Sequence, residues 1–279
     1  MNKWDEIIKP ERNFFQLNFF TIYKYRDLIS MFVKRDFITY YKQTILGPIW
    51  YIIQPLVNTI VFTIIFGRLA KIPTDGLPPF LFYMAGNIIW SYFSICLTST
   101  SNTFVSNSQI FNKVYFPRLV VPISNIIFSL LQFIIQFVVF MIFYMYFYFK
   151  GSDISFTFNM IFLPLLILQI AILSLGCGTL LSALTSKYRD LTLAMTFLVQ
   201  LLMYATPIVY PLSLVPEKFR LLICLNPMTS VVELFREIFL GQSSITFNQV
   251  MLSLIVTLII FFSGLILFNK VEKNFVDTV

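Results

Sequence analysis

Six stretches of this chain carry no charge, and they decide what it can fold into. Ile49–Gly67, Phe80–Leu97, Val120–Phe149, Phe158–Leu184, Leu191–Thr206 and Val250–Phe268 contain no Asp, Glu, Lys or Arg. Hydrocarbon offers the backbone no hydrogen-bond partners, so an apolar run of this length satisfies its own groups as a helix. About 20 residues are needed to cross a core about 30 Å thick. Charged residues are 12% of the 279 and hydrophobic ones 58%, against about 25% and 45–50% in a soluble domain. The expected fold is an all-α integral membrane protein with six transmembrane helices. It forms a single membrane domain over residues 1–279, with an N-terminal segment (1–48), a six-span region (49–269) and a tail (270–279). The fifth stretch is marginally short unless it extends through Pro207.

The first 48 residues hold eight Lys/Arg and five Asp/Glu and lack the short apolar core of a signal peptide. Ile29, Val33, Phe37 and Tyr40 recur at helical spacing, with Lys24, Arg35 and Lys42 in nearly the opposite direction. That is the pattern of a basic amphipathic helix on a membrane surface. A soluble helix packed on a partner fits it too, and Asp36 sits at the edge of the apolar stripe. Gly47-Pro48 ends this helix before the first span.

The first span carries Gln54, Pro55, Asn58 and Thr59. Polar groups at membrane depth face protein or water, so both helix–helix hydrogen bonding and a pore-facing role fit. Asn58, Phe62 and Phe66 recur every four residues and share a face. The second stretch runs on into TSTSNTFVSNSQ, so its helix is expected to leave the membrane before it ends. The third closes with FYMYFYF, where tyrosines suit an interfacial belt. Gly176-Cys177-Gly178 in the fourth suits close helix packing.

Two segments are irregular. Asn107–Pro122 has Lys113 and Arg118 as its only charges, and Pro117 and Pro122 stiffen it. It reads as a short elbow outside the hydrocarbon: a lever that another protein pushes, or a simple loop. Pro207–Gln242 is too polar for a span and too apolar for a plain loop. Asn226-Pro227 is a helix-start signal and Gly241 a stop, giving two half-helices, Pro216–Cys224 and Met228–Leu240. Each is too short to cross and is expected to be re-entrant or interfacial. In the second, Glu233, Arg236 and Glu237 lie away from the face shared by Val232, Phe235 and Phe239, placed to pair with one another.

Orientation follows from the bases. With a cytoplasmic N-terminus and six spans, 14 Lys/Arg fall inside and 6 outside. The chain has no histidine, which excludes Ser-His triads and His-ligated metals. Cys96, Cys177 and Cys224 are scattered and odd in number, pointing to neither a disulfide framework nor a metal cluster. No span body holds an ionisable group to couple to a proton gradient, and no GxxxxGK[ST] binds ATP. A transporter of this kind needs a partner that supplies energy.

The order of parts now matters. A basic amphipathic N-terminus precedes six spans, FNKVYFPRLVVP joins spans two and three, TPIVYP follows span five, and LNPMTSVVELFREIFLG precedes span six. This resembles the membrane subunit of a type-2 ABC exporter for polysaccharides, the O-antigen and teichoic-acid permeases. The resemblance runs from about residue 25 to the end. It implies a homodimer in the bacterial cytoplasmic membrane, working with two copies of a separate ATPase, with ATP and Mg on that partner and no cofactor here. The substrate implied is a lipid-linked polysaccharide, and both termini are cytoplasmic. Contacts with the ATPase then fall on Phe111, Asn112, Lys113, Tyr115, Phe116, Pro117 and Arg118, and on Arg35 and Phe37 of the N-terminal helix. Arg118 is expected at that interface, with Tyr115 and Phe116 in a groove on the partner. The translocation path falls on Tyr51, Asn58, Phe62, Phe66 and Tyr204. The outer gate falls on Pro207, Tyr210, Asn226, Pro227, Glu233 and Arg236. Two other classes share parts of the pattern: a permease of the same architecture for a drug or lipid, and a membrane-embedded transferase, against which the missing histidine and intramembrane carboxylates weigh.

Overall fold

In a computed structural model, residues 19–42, 47–111, 113–114, 116–152, 158–185, 187–188 and 190–275 are described. Apolar periodicity and a nearly complete absence of interior breakers make helices of almost all of them, and there is no strand among the described residues. The helices are α1 (Phe19–Lys24), α2 (Arg26–Lys42), α3 (Trp50–Phe62), α4 (Pro79–Ser101), α5 (Thr103–Ser106) and α6 (Ser108–Phe111), then α7 (Val120–Phe149), α8 (Leu163–Thr185), α9 (Leu191–Ala205), α10 (Glu217–Cys224), α11 (Pro227–Leu240) and α12 (Phe247–Phe275). Pro55 lies inside α3 without ending it, and the helix continues through the wider turns of Thr63–Leu69.

Five helical stretches among the described residues are long and apolar enough to cross a membrane: Trp50–Leu69, Pro79–Ser101, Val120–Phe149, Asn159–Thr185 and Phe247–Val271. At 15 residues α9 falls short of that length; its axis covers about 22 Å. The fifth stretch does end where its length forewarned, at Ala205, and Thr206 is already extended.

The elements are arranged around α4. In its most apolar 18-residue window 78% of residues are buried, against 11% for the first span. From Leu81 to Trp90 every residue is buried. α8, α7, α3 and α11 pack on it, and α9 touches it. Lipid is as apolar as leucine, so helices associate in it through close packing and interhelical hydrogen bonds. Both are present. The Asn87 amide donates to Thr59 Oγ1 of α3 (3.2 Å), Gln136 of α7 to Ser91 Oγ (3.3 Å), and Asn125 of α7 to the Ser99 carbonyl (3.2 Å). Thr185 of α8 donates to the Ser101 carbonyl (2.8 Å).

The expectation of close packing at Gly176-Cys177-Gly178 holds, and the two glycines face different neighbours. A Cβ on Gly176 would lie 2.6 Å from Phe261 Cα of α12, and one on Gly178 would lie 2.5 Å from Thr100 Cβ of α4. A Cβ on Gly264 of α12 would strike the Gly176 carbonyl oxygen. The backbones of α8 and α12 therefore meet directly. Gly176→Leu should destabilise the protein by roughly 1–3 kcal/mol or more, through overpacking against backbone that cannot yield. Gly67→Ala, whose Cβ would meet only ordinary 3.4 Å contacts, should be near neutral. Thermal unfolding of the detergent-purified protein separates the two.

Candidate functional site

Beyond Trp90, one face of α4 opens. Ser91, Ser94, Ile95, Thr98, Ser99 and Asn102 are half-buried while Tyr92, Phe93, Cys96 and Leu97 between them are buried. At helical spacing this is one stripe, and it is polar. Asn87 to Asn102 covers about 22 Å along the axis. The stripe floors two adjoining clefts that share Ser94, Ile95 and Thr98.

The deeper cleft has a volume of about 490 Å³, within the range of small-molecule sites. Tyr51, Gln54, Pro55 and Asn58 of α3 form one wall, and Thr196, Val199, Gln200 and Met203 of α9 the other. Gln132 and Gln136 of α7 and Trp90 complete it. The Gln132 amide donates to Tyr51 Oη (2.6 Å), and Tyr40 of α2 stacks on the Tyr51 ring at 4.8 Å between centroids. The lining side chains offer amides, hydroxyls, apolar groups and aromatic faces, with no ionised group. The outer cleft, about 660 Å³, runs on to Asn107 and Ile110 and ends at Arg35 and Asp36 of α2. Those two pair with each other at 2.8 Å.

Of the path residues expected from sequence, Tyr51 and Asn58 line the cleft. Phe62 and Phe66 do not: they pack edge-to-face on each other (5.5 Å), with Phe62 against Tyr83 of α4 (6.4 Å). Tyr204 faces away from the cleft, half-exposed, and its carbonyl accepts from Tyr210 Oη (3.4 Å). The face shared by Asn58, Phe62 and Phe66 meets the cleft at Asn58 and the Tyr83 ring of α4 at Phe62. Gln132, Gln136, Gln200, Asn87 and Ser91 were missed. Their signal was in the sequence: amides four residues apart in an otherwise apolar third stretch, opposite a stripe of serines and threonines in the second.

The elbow folds inward. Phe116 is buried against Phe32 of α2 (5.8 Å) and Phe111 (5.7 Å), and Phe104 stacks on Phe268 of α12 (4.8 Å). Arg118 is 7% exposed, its guanidinium 5.7 Å from the Phe104 ring and 5.4 Å from that of Phe111. The expectation of Phe116 in a groove on a partner is corrected: the groove is this chain's own, because α2 and α12 together supply the apolar surface. Pro117 is half-buried, while Lys113 and Val114 are exposed at the tip. Asn112 and Tyr115 lie outside the described residues. On α2 the buried ring is Phe32, under Arg35 (4.7 Å); Phe37 and Tyr40 are exposed.

At the other end, the two half-helices form close to where the sequence put them. Asn226 Oδ1 accepts from the Met228 amide (3.1 Å), Pro227 holds the first position, and Gly241 ends α11 at φ 75°. Asn226 also donates to Thr206 Oγ1 (2.8 Å). α11 is buried among Phe137, Phe140 and Tyr144 of α7. Glu233 and Arg236 do pair (3.1 Å), but in the interior, with side chains 4% and 1% exposed. Arg236 Nη1 donates to the Pro207 carbonyl (2.6 Å) and Nη2 to that of Ile208 (2.8 Å), with Phe82 3.6 Å beneath the guanidinium. Glu233 accepts from the Leu212 amide (3.4 Å). Burial lowers the Arg236 pKa and raises that of the Glu233 carboxyl, and each partner's charge opposes the other's shift. Tyr210 is half-buried beside this knot.

Residues 27–240, from α2 to the end of α11, match the family described as ABC-2 type transporter. The chain belongs to that family. An O-antigen export system permease protein RfbA of Klebsiella pneumoniae is 28% identical over 251 residues, 90% of this chain and 94% of its own length. One from Myxococcus xanthus is 23% identical over 261 residues, 92% and 97% of the two chains. A polysialic acid transport protein KpsM of Escherichia coli is 26% identical over 234 residues, 82% and 87%. The match to this ABC-2 transporter takes in the polar stripe, the elbow and the knot.

Arg236→Leu should destabilise the protein by roughly 3–5 kcal/mol, since it strands Glu233 and two carbonyls. Arg236→Lys should rescue little, because one ammonium cannot hold three acceptors and a ring at once. Glu237→Gln, one residue along, should stay within about 0.5 kcal/mol. Thermal melts rank the three.

Proposed function

We propose that two copies of this chain form the membrane half of an exporter that carries a polysaccharide across the bacterial cytoplasmic membrane, driven by two copies of a separate ATPase. The observation that carries this reading is the uncharged polar cleft, open at the elbow end and stopped below α11. A neutral, hydroxyl-rich polymer meets hydrogen-bond partners and aromatic faces there and no electrostatic trap. Weak, repeated sites let it slide, as conduction requires. The names of the relatives agree. A drug or lipid would meet a cleft with too many amides for its surface.

The basic residues put the elbow end and both termini in the cytoplasm. α9, short as it is, serves as the sixth crossing, and α10 and α11 dip back from the outer face. The substrate then enters from the cytoplasm between α3 and α9, which bury little of themselves against their own chain. A second copy closes these flanks around the chain axis. The knot at Arg236 plugs the far end, so opening there requires α3 and α9 to part from α4 or the plug to shift as one piece. ATP and Mg belong to the partner, and the lipid-linked end of the glycan remains in the bilayer beside the cleft.

The lever is the aromatic cluster of the elbow, which ties α2, the elbow and α12 into one block. Of the expected contacts that are described, Lys113, Arg35 and Phe37 are exposed, as is Val114 beside Lys113, so these take the push. Lys113→Glu with Val114→Asp should leave the melting temperature unchanged and uncouple ATP hydrolysis from export. Arg118→Glu should instead cost stability, because it puts a carboxylate among rings. Full export by the first variant in a complementation assay would overturn this assignment of the lever. Topology is tested by single cysteines at 34, 113 and 187 against 71 and 218, in a background without the native cysteines. An impermeant thiol reagent added to intact cells should label only the last two.

A further inference from the structure

Buried polar atoms without a hydrogen-bond partner occur at Arg236 in the knot and at Ser174 and Ser182 of α8, but none of these lines a cleft. Two others do line the deeper cleft. Gln132 and Gln136 are 5% and 4% exposed, sit four residues apart on α7, and each donates through Nε2 to a wall of the cleft. The Oε1 of each is buried with no hydrogen-bond partner. A buried acceptor left unpaired costs roughly 1–3 kcal/mol. Helix packing uses only the Nε2 donations and has no use for two buried, unpaired acceptors. Turning either amide over leaves its nitrogen unpaired instead, so one polar atom of each is surplus whichever way it is drawn.

We propose that Gln132 and Gln136 form a sugar-binding step in the cleft, where the hydroxyls of one neutral glycan residue hydrogen-bond to both amides while its ring rests on Tyr51 or Trp90. This rests on the export reading above and adds to it a place and a chemistry. The acceptors point to hydroxyl donors, and a sugar hydroxyl both donates and accepts, so it satisfies either amide orientation. Each terminal amide reaches the cleft by turning about χ3, its softest torsion. Spacing supports it: residues four apart on a helix lie about 6 Å from each other along the axis, the scale of one sugar ring. No carboxylate or base lines this cleft, so the step favours a neutral residue over an anionic one. Asn102 Oδ1, also unpartnered, lies about 16 Å from Ser91 along the same stripe and marks the cytoplasmic approach.

The test is complementation of a strain lacking this chain, with surface glycan, ATP hydrolysis and melting temperature measured together. The double variant Gln132→Leu with Gln136→Leu keeps side-chain volume and removes both amides. It should melt within about 3 °C of the wild type and assemble with the ATPase. Its export should fall about tenfold, with Gln136→Leu alone between the two. Wild-type export by the stable double variant overturns the step and leaves the export reading standing. A large drop in melting temperature, restored by Gln136→Met with full export, shows that the amides only hold helices together and also overturns it. Unchanged surface glycan in the strain lacking the chain overturns the export reading itself. An anionic glycan exported as fast as a neutral one through the wild-type cleft contradicts the preference for neutral residues.

Discussion

α4 carries a stripe of polar side chains through a region where lipid would penalise each of them. Covering that helix is the constraint from which the rest of the arrangement follows. Its apolar faces take α7, α8 and α11; its small and hydroxyl-bearing positions let α8 approach until Gly178 meets Thr100. What remains is the face from Asn87 to Asn102, walled by the sparsely buried α3 and α9 together with α7 and α2. A polar stripe that is walled but not filled is a cleft by construction.

The two ends of that cleft are held by different physics. At the elbow, rings from α2, the elbow and α12 pack on one another, with the Arg118 guanidinium over Phe104 and Phe111, and such contacts are soft enough to shift as a block. At the far end, Arg236 fixes Pro207 and Ile208 through directed bonds in a dry interior, with Glu233 as its counter-charge. Removing one member there leaves buried groups stranded. In the proposed orientation, a softly packed cytoplasmic end and a rigid outer end suit a path that is pushed open from one side.

Much of this was legible in the sequence. Five of the six uncharged stretches gave helices long and apolar enough to span, Asn226-Pro227 and Gly241 bracketed α11, and the paired glycines announced a close crossing. What the sequence hid was direction. Helical periodicity says that Asn58, Phe62 and Phe66 share a face, but the face turns from cleft to core where α3 leans on Tyr83. Phe116 and Arg118 look like exposed contacts until α2 and α12 close over them, which no local pattern announces. Glu233 and Arg236 were placed to pair, but their burial was not legible; the Pro207 and Ile208 carbonyls make that burial tolerable. The amides of α7 were visible throughout. Their meaning needed the opposite wall of α4, 45 residues away at Gln136 and Ser91.

The central claim is that water reaches the middle of the membrane along one face of α4. Single cysteines at 87, 91, 94, 98 and 102, and at the interleaved positions 89, 93 and 97, measure this directly when each is challenged with a charged, membrane-impermeant thiol reagent in inverted vesicles. The account predicts reaction at 91, 94, 98 and 102, slower at 87, and none at 89, 93 and 97. Uniform protection of the polar stripe, or reaction without helical period, would contradict it.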